Sequence, residues 1–161
     1  SHLIDVVMAK EPRWKMYEYL RVKIDDLLAG NVDLEKLVIT KSIKESYKTQ
    51  NLPHVAVAKK MRERGKYVAS GTRVRYIFTV TENKKDPQYK KAEDPDYYLK
   101  NTDTLQIDYL YYFEKQLVNP IDEVLEVKFG VQNVLKNLLR LLKKGVIKNA
   151  TQYFRPKFRV E

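Results

Sequence analysis

Residues 51–65 read NLPHVAVAKKMRERG, and the interpretation of the chain turns on this stretch. Pro53 suits the first position of a helix, where its missing N–H would have no partner anyway. Val55, Val57 and Ala58 then supply a small apolar base, Lys59, Lys60, Arg62 and Arg64 follow, and Gly65 ends the run. Lys60 and Arg64 are four apart and share one face of the helix, and Lys59 and Arg62 share the neighbouring face. A short, strongly cationic helix on an apolar footing is suited to meeting a phosphate backbone.

The segments on either side extend this pattern. Leu37–Thr40, LVIT, is a short β-branched strand candidate. The polar segment 41–51 reads as a loop carrying Lys41, Lys44 and Lys48, with Tyr47 and His54 interleaved. Beyond a turn around Gly71, residues 73–81 (RVRYIFTVT) alternate as a strand, with Val74, Tyr76 and Phe78 on one face and Arg73 and Arg75 on the other. The two strands can pair as a small antiparallel sheet. Such a basic set can contact successive phosphates without regard to sequence. No helix carries the Asn, Gln and Arg arrangement that reads base edges.

The flanks read as helical. Tyr17, Leu20, Ile24, Leu27 and Leu28 recur at helical spacing over 12–29, with Gly30 as the stop. Residues 82–95 are charged, carry two prolines and read as a surface loop; 96–100 reads as one helical turn. Asp108 is placed to cap a helix through about Leu117, and Asn119-Pro120 to restart it with Ile121, Val124 and Leu125 inward. Val131, Val134, Leu135, Leu138 and Leu142 mark a last helix ending near Gly145. The expected fold class is α+β, mainly helical, with a small antiparallel sheet. The expected organisation is one domain over 1–145 and a basic, extended tail over 146–161.

Composition bounds the function. The 161 residues suffice for a core, and the net charge of +10 is uneven. Residues 36–75 carry 11 basic and 2 acidic side chains, and residues 140–161 carry 7 and 1. Two concentrated basic segments point to a polyanion. There is no cysteine, no apolar run long enough to span a bilayer, and no signal-peptide pattern at the start. The five glycines are isolated, so no phosphate-binding glycine loop is present. Asp25-Asp26 read as a solvated helix face, and Glu93, Asp94 and Asp96 as a solvated acidic loop. Neither strand carries the paired carboxylates of a two-metal site. No catalytic site, cofactor or metal is therefore expected in this chain.

Five blocks in order carry a resemblance: LVITKSI (37–43) with Tyr47, then NLPHVAVAKKMRERG, GTRVRYIFTV (71–80), KKAEDPDYY (90–98) and IDYLYYFEKQLVNPI (107–121). The series resembles the thumb subdomain of family B replicative DNA polymerases, of viral or eukaryotic type, over roughly residues 5–142. The resemblance implies a helical thumb that grips the primer–template duplex backbone and supports processivity. It implies DNA contacts at Thr40, Lys41, Lys44, Tyr47, His54, Lys59, Lys60, Arg62, Arg64 and Arg73. The implied partners are duplex DNA, the palm and fingers domains and a processivity factor. Magnesium would be held by the palm of the complete enzyme, at intracellular sites of replication, nuclear or viral. Palm and exonuclease motifs are absent, which implies an excised thumb or a split subunit. The lack of cysteine favours a viral-type member. Gln152-Tyr153-Phe154 faintly resembles a clamp-binding peptide, although its spacing departs from the usual form. The charge pattern alone also fits a stand-alone basic nucleic-acid-binding or scaffold protein, or a domain that meets an acidic partner protein.

Overall fold

The computed structural model describes residues 11–44 and 51–160. In chain order its elements are α1 (Arg13–Leu28), α2 (Leu34–Leu37), β1 (Ile39–Ser42), α3 (Pro53–Glu63), β2 (Arg73–Phe78), α4 (Gln88–Lys91), β3 (Ala92–Glu93) and α5 (Pro95–Lys100). There follow α6 (Tyr109–Tyr112), a π-helical turn (Phe113–Val118), α7 (Asn119–Phe129), α8 (Val134–Lys143) and α9 (Ala150–Val160). The fold is α+β and mainly helical, with one small antiparallel sheet. The chain divides into two compact units, one formed by residues 1–32 with 109–161 and the other by 33–108.

The first unit is helical. Tyr17, Leu20, Ile24 and Leu27 line the buried side of α1, as the helical spacing predicts, and Met16 joins them, while Leu28 is half-buried. Phe113, Ile121, Leu125, Leu135, Leu138 and Phe154 of the same unit are fully enclosed, and the Tyr17 and Phe154 rings lie 5.3 Å apart. Gly30 ends α1 at φ +80°, a conformation that favours glycine, and a Cβ there would stand 3.1 Å from the Tyr109 hydroxyl, so that ring would have to shift.

Three expectations fail in this unit. Asn119-Pro120 starts no new helix, because the chain stays helical from Tyr109 to Phe129 through the π-helical turn. Pro120 has no N–H to donate and its ring crowds the carbonyl four residues earlier; a widened turn just ahead of it accommodates both. Residues 150–160, expected to be extended, form α9. Asn149 starts that helix by accepting from the Gln152 amide at 2.8 Å. The Asp25 carboxylate accepts from the amides of Ala150 at 2.6 Å and Thr151 at 3.2 Å, so Asp25 is not part of a solvated face. Asp122 serves α8 in the same way, accepting from Leu135 N at 2.8 Å and Lys136 N at 3.0 Å. Each of these carboxylates thus satisfies orphan amides at the start of another helix and opposes its dipole.

The second unit holds the sheet, in the order β1-β2-β3, antiparallel throughout. The expected pairing of the first two strands is present, with Ile39 opposite Tyr76 and Lys41 opposite Val74. The first strand begins two residues later than expected, since Leu37 closes the short helix α2. Val74, Tyr76 and Phe78 are buried, and α3 packs on β2 through Val55, Val57 and Ala58. The largest departure is at residues 88–94, expected to be a surface loop. They form α4 and then β3, where Ala92 pairs with Phe78 and Glu93 with Ile77.

Candidate nucleic-acid interface

The second unit contains every described residue of the expected interface, and it sorts them into three groups. Tyr47 and the neighbouring Lys48 lie outside the described residues.

The first group gathers where β1 meets α3. His54, on the first turn of α3, is 9% exposed. Lys41 and Lys44 are exposed and close enough to act on it electrostatically. Burial, then Lys41, then Lys44 push the His54 imidazole below its ordinary pKa of 6.5. In the unfolded chain the group returns to about 6.5. Between the two values the unfolded state binds more protons, so the stabilising contribution is complete above pH 6.5 and is lost as pH falls towards the folded value. Amide exchange in α3 measured across this window should therefore show protection falling with acid, and His54→Gln should flatten that dependence.

The second group lies on the opposite face of the sheet. Thr40 stands across from Arg75, and Arg73 across from Ser42, so these four share one side. Arg75 pairs with Glu35, while Arg73 is exposed.

The third group is α3 itself. Lys59 is exposed, but the three other basic side chains are engaged by the protein. Arg64 donates through both Nη atoms to Glu93, at 2.8 and 3.0 Å, and its guanidinium lies 3.3 Å from the Tyr97 ring centre. Lys60 donates to the Ala92 carbonyl at 2.7 Å and stands 3.9 Å from Glu93. Arg62 holds the Val68 carbonyl through Nε at 3.3 Å and Nη2 at 2.9 Å. Glu93 is 4% exposed and also accepts from the Asp94 amide at 2.8 Å; Asp94, equally buried, receives Lys66 at 3.2 Å. The hydrogen bonds that Arg64 donates to Glu93 raise the Arg64 pKa, while burial lowers that of Lys60 against the pull of Glu93.

The acidic segment is therefore not a solvated loop, except at Asp96, which stays exposed. Glu93 and Asp94 are buried counter-charges brought to the cationic helix by β3, across a gap of about 30 residues in sequence. Lys66 was missed in the sequence because nothing local pairs it with Asp94. Asp108, read as a helix cap, has its carboxylate 2.6 Å from the buried Lys91 ammonium. Among the described residues no group of three His, Cys, Asp or Glu side chains is arranged to hold a metal ion. Nor is any described helix long and apolar enough to cross a membrane.

A small sheet-and-helix unit with exposed cations on both sides of its sheet, its helix held by buried carboxylates, is the geometry to be compared with known proteins. The chain matches the family described as DNA polymerase family B over residues 3–128. It is 34% identical over 137 residues to the DNA polymerase 120R of Invertebrate iridescent virus 3 and 43% identical over 113 residues to the DNA polymerase delta catalytic subunit of Plasmodium falciparum. These alignments cover 83% and 68% of the chain. They cover only 12% and 10% of those relatives, so the chain spans about a tenth of their length. In fold it is similar to the family B DNA polymerase of the archaeon Pyrobaculum calidifontis, with a TM-score of 0.58 and 24% identity over 80% of this chain and 18% of that one. The chain belongs to DNA polymerase family B.

Proposed function

We propose that this chain is the thumb subdomain of a family B DNA polymerase and that it grips the backbone of the primer–template duplex during replication. The observation that carries the reading is the division of the cations within a polymerase-family chain. Lys60, Arg64 and Lys66 are fixed by Glu93 and Asp94, while Lys41, Lys59 and Arg73 face solvent. Exposed cations on a braced unit suit phosphates; Thr40, Lys44, Tyr47 and His54 flank them, and Lys60, Arg62 and Arg64 set the attitude of α3. Palm and fingers domains would supply catalysis and the magnesium ions, and the place of action would be the nucleus or a viral replication site. A processivity factor would need a surface other than Tyr153-Phe154, since Phe154 is buried and Tyr153 donates to the Val134 carbonyl at 2.8 Å.

The test is binding of the chain to a primer–template duplex, to single strands and to structured RNA over a salt series. Duplex DNA is expected to bind best, with a steep salt slope. Alanine at Lys41 or at Lys59 should each reduce that slope by about 0.9. Equal or tighter binding to RNA would sink the thumb reading, and an unchanged slope would remove the substituted lysine from the interface.

A further inference from the structure

The loop between α3 and β2 (residues 64–72) presents one side chain that the fold does not use. Tyr67 is 91% exposed, whereas every other described aromatic except Trp14 is at least partly covered. It has no hydrogen-bond or ring partner among the described residues. The backbone beneath it is tied on both sides. The Lys66 amide donates to the Met61 carbonyl at 2.9 Å, and the Lys66 ammonium is held by Asp94. On the other side Val68 is buried and its carbonyl receives the Arg62 guanidinium. Further along, the Gly71 amide reaches the Ile43 carbonyl at 2.7 Å. The loop is thus fastened, and its ring is offered to solvent with little ordering left to lose on binding.

Arg62 adds the second half. Its Nε and Nη2 hold Val68, and its Nη1 has no partner among the described residues. A guanidinium with a donor to spare, anchored to the carbonyl of the residue that follows an exposed aromatic, offers one group for a phosphate while the ring offers one for a base.

We propose that Tyr67 and Arg62 together form a site for an unpaired nucleotide of DNA, the ring stacking on the base and Nη1 meeting its phosphate. The choice of an unpaired nucleotide follows from the geometry of stacking. Bases inside a duplex are covered on both faces by their neighbours, so a flat ring standing clear of the surface can stack only on a base with a free face. This inference rests on the duplex-gripping reading above and adds to it a contact for the single strand that adjoins the duplex.

The experiment uses the full chain and two DNAs, a blunt duplex and the same duplex with a short single-stranded overhang carrying 2-aminopurine as its first unpaired base. The wild-type chain should bind the overhang DNA more tightly and quench the 2-aminopurine. Tyr67→Ala should remove that advantage, a loss of roughly tenfold, and abolish the quenching. It should leave blunt-duplex affinity and the salt slope unchanged, because no charge is removed. Tyr67→Phe should behave as wild type. Unchanged overhang binding by Tyr67→Ala overturns this site and leaves the duplex reading standing, as does an equal loss on both DNAs. Failure of the wild-type chain to bind the blunt duplex overturns both.

Discussion

Replacing Glu93 by glutamine is expected to destabilise the second unit by about 2–3 kcal/mol. The carboxylate is buried and serves three donors, namely both Nη atoms of Arg64 and the Asp94 amide, with the Lys60 ammonium 3.9 Å away. Glutamine keeps the shape but removes the charge, and its NH2 group faces a guanidinium that needs an acceptor. The figure lies at the low end for a broken buried pair because Arg64 and Lys60 are about a third exposed and water can partly replace Glu93. Amide exchange in α3 and β2 is the measurement, since the only tryptophan, Trp14, lies in the other unit. Removing both charges together, with Glu93→Leu and Arg64→Met, should cost less than Glu93→Leu alone. A double variant as damaged as the single one would mean that the pair's charge is not what holds β3 against α3.

The second large effect is expected at Asp122. Its carboxylate is 7% exposed and accepts from the first amides of α8, Leu135 N and Lys136 N. Asp122→Ala should cost about 2–3 kcal/mol, because it deletes a cap and leaves a buried amide without an acceptor. Asp122→Asn, which keeps one oxygen, should cost about half as much. Trp14 fluorescence in a urea titration can follow both, as tryptophan and substitution lie in the same unit. A midpoint for Asp122→Ala within error of wild type would show that α8 is held by its leucines alone.

These two sites also mark where sequence reasoning stops. Helix α3, from Pro53 to its glycine stop, was legible because its signals are local: a proline that begins a helix and a glycine that ends one. The β1–β2 pairing was legible because side-chain alternation ties Val74 and Tyr76 to one face. Glu93 and Asp94 were not, because acidic residues beside lysines and prolines look the same whether solvated or buried. What buries them is the addition of β3 to the sheet, a tertiary event. Asp25 and Asp122 escaped for a related reason. A cap is sought just before its own helix, whereas these two serve helices 125 and 13 residues away. The tail was misread through its charge and its proline, although Asn149 was a local start signal and Phe154 an apolar anchor. Of the candidate interface, the residue types were legible in the sequence, but their allegiance was not: charge alone could not separate cations that face water from cations already claimed by the protein.

The π-helical turn at Phe113–Val118 has a consequence for how this region can change length. A wider turn contains one residue more than an α-helix needs to cover the same rise. Deleting a single residue there would let the turn close to α-helical winding while the helix beyond it keeps its facing. Ile121 and Leu125 would stay buried and Asp122 would stay at the start of α8. In a regular α-helix the same deletion would turn everything beyond it by about 100°, so 113–118 is the place where this helix can shorten by one residue and still leave the next helix its anchor.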